Sequence, residues 1–243
     1  MASDGSHQSG CLICGAALCY SQESTDRTCT ICGARTSANV ACEAGHYVCD
    51  SCHCGSANEL IQRVCSESLS TAPMALAMQL MQSPLLKMHG PEHHFLVPAV
   101  LLCSYCNATG IPGDEKRRKI EIARRRAEDV KGGFCGFLGS CGAGMGTGMF
   151  ISLITGATPL SRSEWGLANL MTSESLRAIA ERGGPRCCKR DTMLAIQSAA
   201  SFVRARMRVD LDVSGARCMW SARNNECRKE ECPFFHSAED QRP

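Results

Sequence analysis

The chain has 243 residues, of which 44% are hydrophobic, and its formal net charge is only +2. This length and apolar content can bury a core, while the small charge gives no overall attraction to nucleic acid or to a membrane surface. The longest apolar run, Phe95 to Cys103, contains a proline and is far shorter than the roughly 20 residues of a membrane helix. We therefore expect a folded protein without a membrane anchor.

Cysteine is the unusual feature of the composition, with 19 residues. The chain is too long for a small disulfide scaffold, and its first residues lack the basic and apolar regions of a secretory signal. We therefore expect a reducing, cytoplasmic location in which thiols bind metal. Aromatic residues make up only 5% of the chain, which favours a mainly α fold with closely packed helices.

The first region, residues 1–56, is rich in cysteine and turn residues, so we expect metal rather than a core to organise it. Its candidate ligands form four pairs at zinc-site spacing: Cys11 and Cys14, Cys29 and Cys32, Cys42 and His46, and Cys49 and Cys52. Four pairs predict a double zinc module, of the zinc-ribbon or cross-brace type. Sequential pairing joins the first two pairs and the last two, whereas interleaved pairing joins alternate pairs. The segment GHYVCDSC resembles the GHxxCxxC of RING-type cross-braced fingers, which favours interleaving.

The second region, residues 57–212, predicts an all-helical core domain. Apolar spacing, caps and breakers predict helices over 58–68, 73–82, 92–106 and 114–131, an apolar helix that Thr158-Pro159 ends, a helix through Trp165, and helices at 173–182 and 190–207. Ser161 and Glu164 form the capping-box pattern for the helix through Trp165. The glycine-rich segment around residues 132–149 is predicted to be a turn.

The third region, residues 213–243, predicts a metal-binding tail. Its ligand pattern resembles CCCH zinc fingers: Cys218, Cys227, Cys232 and His236. In that family zinc-pinned loops present aromatic side chains to single-stranded RNA, and Phe234-Phe235 occupies the corresponding position. Several glutamates offset the basic residues of the tail, so zinc is the expected ligand and RNA the less favoured partner.

Four cysteines of the core domain lie in glycine turns and are the candidate cofactor ligands: Cys135, Cys141, Cys187 and Cys188. The second pair begins a helix and precedes Lys189 and Arg190, and a helix N-terminus and cations lower a thiol pKa. We therefore predict Cys187, Cys188, Lys189 and Arg190 as catalytic residues. One shared centre requires the two turns to meet in space. His89 and His93, four residues apart, permit metal binding on one helix face, although such histidines are more often hydrogen-bonded core or surface residues.

Five segments resemble an uncharacterised prokaryotic family, domain of unknown function 5714: CEAGHYVCDSCH, MHGPEHHFLVPAVLL, GFCGFLGSCGAGMGTGMFISLITGATPLSRSEWGLANLMTS, GGPRCCKRD and NNECRKEECPFFH. The resemblance implies a cysteine-rich protein of bacteria and archaea, often anaerobes. A fainter similarity of pattern is to iron–sulfur L-serine dehydratases and cysteine desulfidases, which use three thiolates in glycine-rich turns and leave one iron open as a Lewis acid. This similarity implies that Cys135, Cys141 and one of Cys187 and Cys188 are the three thiolate ligands.

Three functions remain open from the sequence. The first is an iron–sulfur or metal enzyme that acts on a small sulfur-containing or anionic molecule. The second is a zinc-organised adaptor that binds a protein or RNA without catalysis, since both chain ends carry the firmest ligand spacings. The third is a thiol redox protein, which ranks last because so many neighbouring thiols favour metal capture.

Overall fold

The computed structural model describes residues 11–49, 52 and 56–236. Within these residues two strands precede eight α-helices, which confirms the mainly α class. The strands are β1 (Leu18–Thr28) and β2 (Arg35–Cys42). The helices are α1 (Ala57–Glu67), α2 (Pro73–Leu80), α3 (Glu92–Thr109), α4 (Gly113–Glu128), α5 (Phe134–Phe137), α6 (Gly142–Thr155), α7 (Ser163–Ala180) and α8 (Cys188–Met207). Two 3-10 helices, Ser221–Arg223 and Lys229–Glu231, follow in the tail.

The strands form an antiparallel hairpin that stands largely in solvent. Leu18 pairs with Cys42 at its base and Thr28 with Arg35 near the turn. Nearly every residue of β1 is exposed, so the hairpin has no apolar face of its own to bury. Packing alone therefore does not explain its stability, in agreement with a region organised by bound metal.

Helix α3 is the centre of the helical domain and contacts α1, α2, α4, α6 and α8. Its apolar run from Phe95 to Cys103 is buried throughout, as the absence of a polar face in the sequence predicts. Pro98 lies inside this helix and cannot donate to the His94 carbonyl. Helix α6 makes its close approach to α3 at this point, because a Cβ on Gly146 would lie 3.1 Å from that carbonyl oxygen.

The glycine-rich segment holds the short helix α5 and a turn that ends at Cys141, and from Gly142 onward it is helix α6. A Cβ at Gly142 or Gly146 would meet α3 at less than 3.0 Å. A Cβ at Gly144 or Gly148 would meet α7 equally closely. The prediction of a continuous turn was therefore wrong, because these glycines serve close packing of one helix between two others rather than backbone turning.

Helix α7 is one continuous helix, whereas the sequence predicted two. The predicted capping box is also wrong: the Ser161 hydroxyl accepts from the Thr158 N–H at 3.0 Å and closes the preceding turn. The capping box of the described chain lies at the start of α1, where Ser56 and Glu59 exchange hydrogen bonds. Serine starts a helix only weakly when its side chain does not cap that helix. Tertiary packing therefore extends α7 through Ser173.

The hydrophobic core is continuous across the three predicted regions. It includes Cys29 and Ile31 of the first region, α3 and α8 of the second, and Trp220 and Phe234 of the third. The Gln79 side chain of α2 also donates to the Ile31 carbonyl at 2.9 Å. The boundaries at 56 and 212 thus mark changes of composition within one packed structure.

Candidate metal centres

The eight ligands predicted in the first region form two separate groups. In each group the four donor atoms lie within 4.8 Å of one another: Cys11, Cys14, Cys42 and His46 in the first, and Cys29, Cys32, Cys49 and Cys52 in the second. The Cys14 and Cys42 sulfurs are 3.8 Å apart, and those of Cys32 and Cys49 are 3.7 Å apart. Tetrahedral coordination with metal–sulfur bonds of about 2.3 Å requires sulfurs about 3.8 Å apart. Each group can therefore hold a metal ion, and the pairing is interleaved rather than sequential.

Two glycines shape the cysteine turns. Gly15 and Gly33 follow the first two CxxC pairs with φ of +78° and +75°, and their N–H groups donate to the carbonyls of Cys11 and Cys29. A left-handed backbone at these points turns the chain back so that both sulfurs of a pair point to one side. Because β1 pairs with β2 up to Cys42, the hairpin returns the third pair to the first.

Backbone hydrogen bonds prepare some of these thiols for metal. Burial opposes ionisation of Cys42, but the His46 N–H and the neighbouring Cys11 thiol lower the pKa of Cys42 to about 6. For Cys32, burial is likewise outweighed by the Ala34 N–H and by Arg63, which lower its pKa to about 7. A metal ligand must be deprotonated, so these two thiols give up their protons at neutral pH with little cost.

Arg63 of α1 contacts the second group, and no spacing or motif in the sequence predicted this contact. Its Nη2 donates to the Cys52 sulfur at 3.0 Å. Burial opposes its charge, but the hydrogen bonds to Cys52 and Cys32 raise the pKa of Arg63. Four thiolates around a divalent ion carry a net charge of about −2, which the guanidinium partly offsets.

Three of the four cysteines predicted in the core domain meet at one cavity. Cys135, Cys141 and Cys188 line a space of about 310 Å³, called here the central cavity, together with His94 and Asp191. The two glycine turns therefore lie together, as one shared centre would require. A second space of about 500 Å³, the side cavity, shares several of these residues and has an apolar wall that includes Leu176 and Ile179.

Cys187 faces away from the central cavity. It lines a small third space, called here the tail cavity, with the three cysteines of the tail: Cys218, Cys227 and Cys232. Of the two adjacent thiols, Cys188 is therefore the one at the cavity of Cys135 and Cys141, whereas Cys187, also predicted as a cofactor ligand and catalytic residue, lines another space. Cys187 is the extended N-cap residue of α8 and Cys188 its first helical residue, so their side chains leave the chain in different directions.

The predicted lowering of the thiol pKa values was wrong. Burial, reinforced by Asp191, raises the pKa of Cys141 to about 11. Burial raises the pKa of Cys187 to about 11 and that of Cys188 to about 12, against the opposing effect of backbone N–H groups. Desolvation of the charged form outweighs the helix N-terminus. A bound cation reverses this balance, since a coordinating thiol is deprotonated outright.

The two predicted catalytic cations are engaged in the structure. Lys189 is buried, and its Nζ donates to the carbonyls of Met81 and Leu86 at 3.0 and 2.9 Å. Burial lowers the pKa of Lys189 to about 8. Arg190 donates to the Asp191 carboxylate and to the Gly183 carbonyl, both at 3.0 Å. Lys189 lies outside the linings of the central and side cavities, whereas Arg190 reaches the side cavity.

The structure gives His89, His93 and His94 different surroundings, which the sequence did not distinguish. His93 is buried with both ring nitrogens engaged, by the Thr192 hydroxyl at 2.9 Å and the Lys87 carbonyl at 3.1 Å. Burial lowers its pKa to about 3, so His93 is a neutral structural residue. His89 precedes α3, and the predicted helical face with His93 therefore does not exist.

His94 has the geometry of a functional histidine. Its Nδ1–H donates to the Val130 carbonyl at 2.9 Å, which assigns the lone pair to Nε2. Burial lowers the pKa of His94, so the ring is neutral, and it lines the central cavity beside Cys141 and Cys188. A backbone carbonyl on one nitrogen and a cavity on the other is the usual arrangement of a metal-binding histidine. The pair His93-His94 at the start of an apolar helix was the only signal in the sequence.

The four ligands predicted in the tail do not repeat the N-terminal geometry. Among residues 11–49, 52 and 56–236, groups of three or more donor atoms within 4.8 Å occur only in the two N-terminal sets. Phe234, predicted as a base-stacking residue, is buried in the core and cannot present its ring to RNA. The RNA version of the tail prediction is therefore wrong for this residue.

A family model described as a family of unknown function, DUF5714, matches residues 61–235. The match contains the central and tail cysteines and begins after the N-terminal module, so CEAGHYVCDSCH lies outside it. No curated protein and no solved structure matches the chain. In the part of the chain that the structure describes, every helix is too short or too polar to cross a membrane.

Proposed function

Because the chain belongs to DUF5714, a family of unknown function, we propose its function from its own cavities: it is a metal-dependent enzyme that acts on a small anionic or sulfur-containing molecule. The convergence of Cys135, Cys141 and Cys188 on the central cavity carries this proposal. Core packing does not require three thiols from two distant turns to meet beside a neutral histidine and a carboxylate.

The donor set fits an iron–sulfur cluster. The three thiols are soft ligands, of the kind that select zinc or iron–sulfur clusters, and they leave the Nε2 of His94 free for the bound molecule. Among the described residues these donors do not approach within 4.8 Å as a group of three, as the N-terminal ligands do. A cluster spreads its ligands further apart than one ion does and suits that spacing better. A cluster with one iron free of protein sulfur supplies a Lewis acid.

The chain's own residues supply binding and proton transfer. Arg186 is exposed and lines both the central and the side cavity, where its guanidinium can hold a carboxylate or another anion. Leu176 and Ile179 form an apolar wall against which the rest of the bound small molecule can pack. Neutral His94 can accept a proton at Nε2 while the Val130 carbonyl keeps its ring oriented.

The proposal is tested on protein purified without oxygen. We expect iron, acid-labile sulfide and an absorption band at about 400 nm. Cys141→Ser and Cys188→Ser should each abolish the iron of this centre, whereas Cys19→Ser, at an exposed position, should keep it. Iron-free wild-type protein, or full iron content in both cavity variants, contradicts the proposal.

Substrate class is tested with L-cysteine, which carries both a carboxylate and a thiol. Its addition to the iron-loaded protein should perturb the visible spectrum. In Arg186→Ala, at least ten times more L-cysteine should be needed for the same spectral change, because the substitution removes one exposed charge-assisted contact. An unchanged spectrum in the wild type would exclude this compound as a cluster ligand.

A zinc-organised adaptor is the second candidate. The exposed hairpin favours it, since Tyr20 is 73% exposed beside a metal group that can hold the hairpin in place. This function requires no iron: oxygen-free protein would contain zinc alone, and its metal content would be insensitive to Cys135→Ala, Cys141→Ala and Cys188→Ala. The same metal analysis therefore separates the two functions.

A further inference from the structure

The tail cavity is a small space beneath the C-terminal segment, on the opposite side of the start of α8 from the central cavity. Four thiols line it, one from the helix start and three from the tail: Cys187, Cys218, Cys227 and Cys232. All four are half-buried. His236, which the sequence groups with the tail cysteines, lies outside this lining.

Hydrogen bonds to sulfur repeat a feature of the N-terminal metal groups. The Trp220 N–H donates to the Cys218 sulfur and the Lys229 N–H to the Cys227 sulfur, both at 3.4 Å. The Ile13 N–H donates to the Cys11 sulfur at the same distance and the same two-residue spacing. Backbone N–H groups aimed at sulfur favour a bound thiolate, and the tail turns share this arrangement with the N-terminal metal groups.

Cys187 is joined to the tail by the same kind of contact. The Asn224 amide nitrogen lies 3.7 Å from its sulfur and donates to it. The tail is held over this position from both sides, because His89 contacts Asn224 and Glu226, and Arg228 donates to the Arg182 carbonyl. The fourth thiol is therefore fixed beside the other three by the tertiary structure.

The charges of the cavity suit a thiolate centre. Three cationic side chains line it: Lys189, Arg190 and Arg228. The two guanidinium groups are also paired with neighbouring carboxylates, so Lys189, which donates to backbone carbonyls, is the cation that can offset thiolate charge. Four thiolates with a divalent ion leave about two negative charges to be offset, and a cluster leaves a similar excess. Only one carboxylate, that of Glu226, is in the lining as the structure describes it.

From these observations we propose that Cys187, Cys218, Cys227 and Cys232 form a four-thiolate metal centre that attaches the tail to the start of α8. Cys187 takes the place that the sequence gives to His236. The centre takes a thiophilic metal, as a single zinc ion or as an iron–sulfur cluster. Binding of a single ion would require the four sulfurs to move closer together, whereas a cluster would fit a wider sulfur–sulfur spacing.

Metal analysis of five variants tests this ligand set independently of the central cavity. Zinc and iron are measured per chain in oxygen-free preparations of Cys187→Ser, Cys218→Ser, the double variant of both, Cys188→Ser and His236→Ala. We expect the two single variants to lose the same metal, and the double variant to lose no more than either single one. His236→Ala should retain this metal. In Cys188→Ser this metal should also remain, whatever happens to any iron of the central cavity.

A labelling experiment on the unmutated protein guards against variants that misfold. Iodoacetamide is applied before and after removal of metal by a chelator, and peptides are identified by mass spectrometry. Cys187 should become reactive together with Cys218, Cys227 and Cys232. Absorption at about 400 nm that disappears in Cys187→Ser identifies a cluster, and loss of zinc without loss of colour identifies a single ion.

Two results would overturn the proposal. One is full metal content in Cys187→Ser while Cys218→Ser and His236→Ala lose equal amounts, which would restore the three-cysteine, one-histidine set. The other is labelling of Cys187 that does not depend on the chelator. Absence of iron from the central cavity would affect neither result.

Discussion

The imidazole of His94 lies against Gly142, at the place that a side chain on that glycine would occupy. A Cβ there would meet ring atoms of His94 at less than 3.0 Å. Gly142 is the first residue of α6 and follows Cys141, so the close contact fixes the histidine beside the thiol. The glycine is therefore a positioning residue of the central cavity.

Gly142→Ala should displace the His94 ring and destabilise the protein by about 1–3 kcal/mol, the usual cost of overpacking. Gly166→Ala is the matched control, since a Cβ there meets nothing within 4 Å and alanine favours helix by about 0.5–1 kcal/mol. Urea unfolding of both variants gives the comparison. Equal stability of the two would show that α6 can move away from α3 at no cost.

Interleaved pairing can be tested by double substitution. Cys14→Ser with Cys42→Ser alters one group and should remove one metal ion per chain, leaving the other ion in place. Cys14→Ser with Cys29→Ser alters both groups and should remove two. Sequential pairing gives the reverse result, so metal analysis of these two variants decides between the arrangements.

Arg63→Gln should weaken metal binding in the second N-terminal group by roughly 10- to 100-fold, the range seen when an outer hydrogen bond to a ligand is lost. The reason is its charged donation to the Cys52 sulfur. Arg63→Lys keeps the charge and should have a smaller effect. Competition with a coloured chelator measures the affinity, and the first group, which Arg63 does not touch, is the internal reference.

Lys189→Met should destabilise the fold without removing metal from the N-terminal groups. It leaves the Met81 and Leu86 carbonyls buried without their donor, at about 1–3 kcal/mol each. Lys131→Met, at an exposed position, is the control and should change stability by less than about 0.5 kcal/mol. A loss of activity in Lys189→Met at unchanged stability would instead support the catalytic role that the sequence predicted.

Thiol reactivity should separate structural cysteines from exposed ones. Burial raises the pKa of Cys65, of Cys103 and, to about 11, of Cys106, and an uncharged thiol is a poor nucleophile. At pH 8 iodoacetamide should label exposed Cys19 rapidly and leave these three intact until the protein unfolds. Rapid labelling of Cys106 in native protein would show that α3 opens.

Features that depend on local spacing could be predicted from the amino-acid sequence. Four ligand pairs within a short cysteine-rich region predicted two N-terminal sites, because a tight turn aims both sulfurs of a CxxC pair at one ion. Apolar periodicity located α1 to α4 and α8 to within a few residues, since one face of each helix must be buried. The quoted motifs identified the family.

Features that depend on residues distant in sequence became visible in the folded protein. The register of β1 on β2 fixed the pairing of the ligands, and the neighbours of α6 turned a glycine-rich segment from loop into helix. The pKa values of the central thiols rose because burial, which no local pattern reports, outweighs nearby charge. Cys187 and Cys188 are adjacent in sequence yet line different cavities. A chain that enters a helix turns successive side chains to different sides, and the packing on each side decides which residues each thiol contacts.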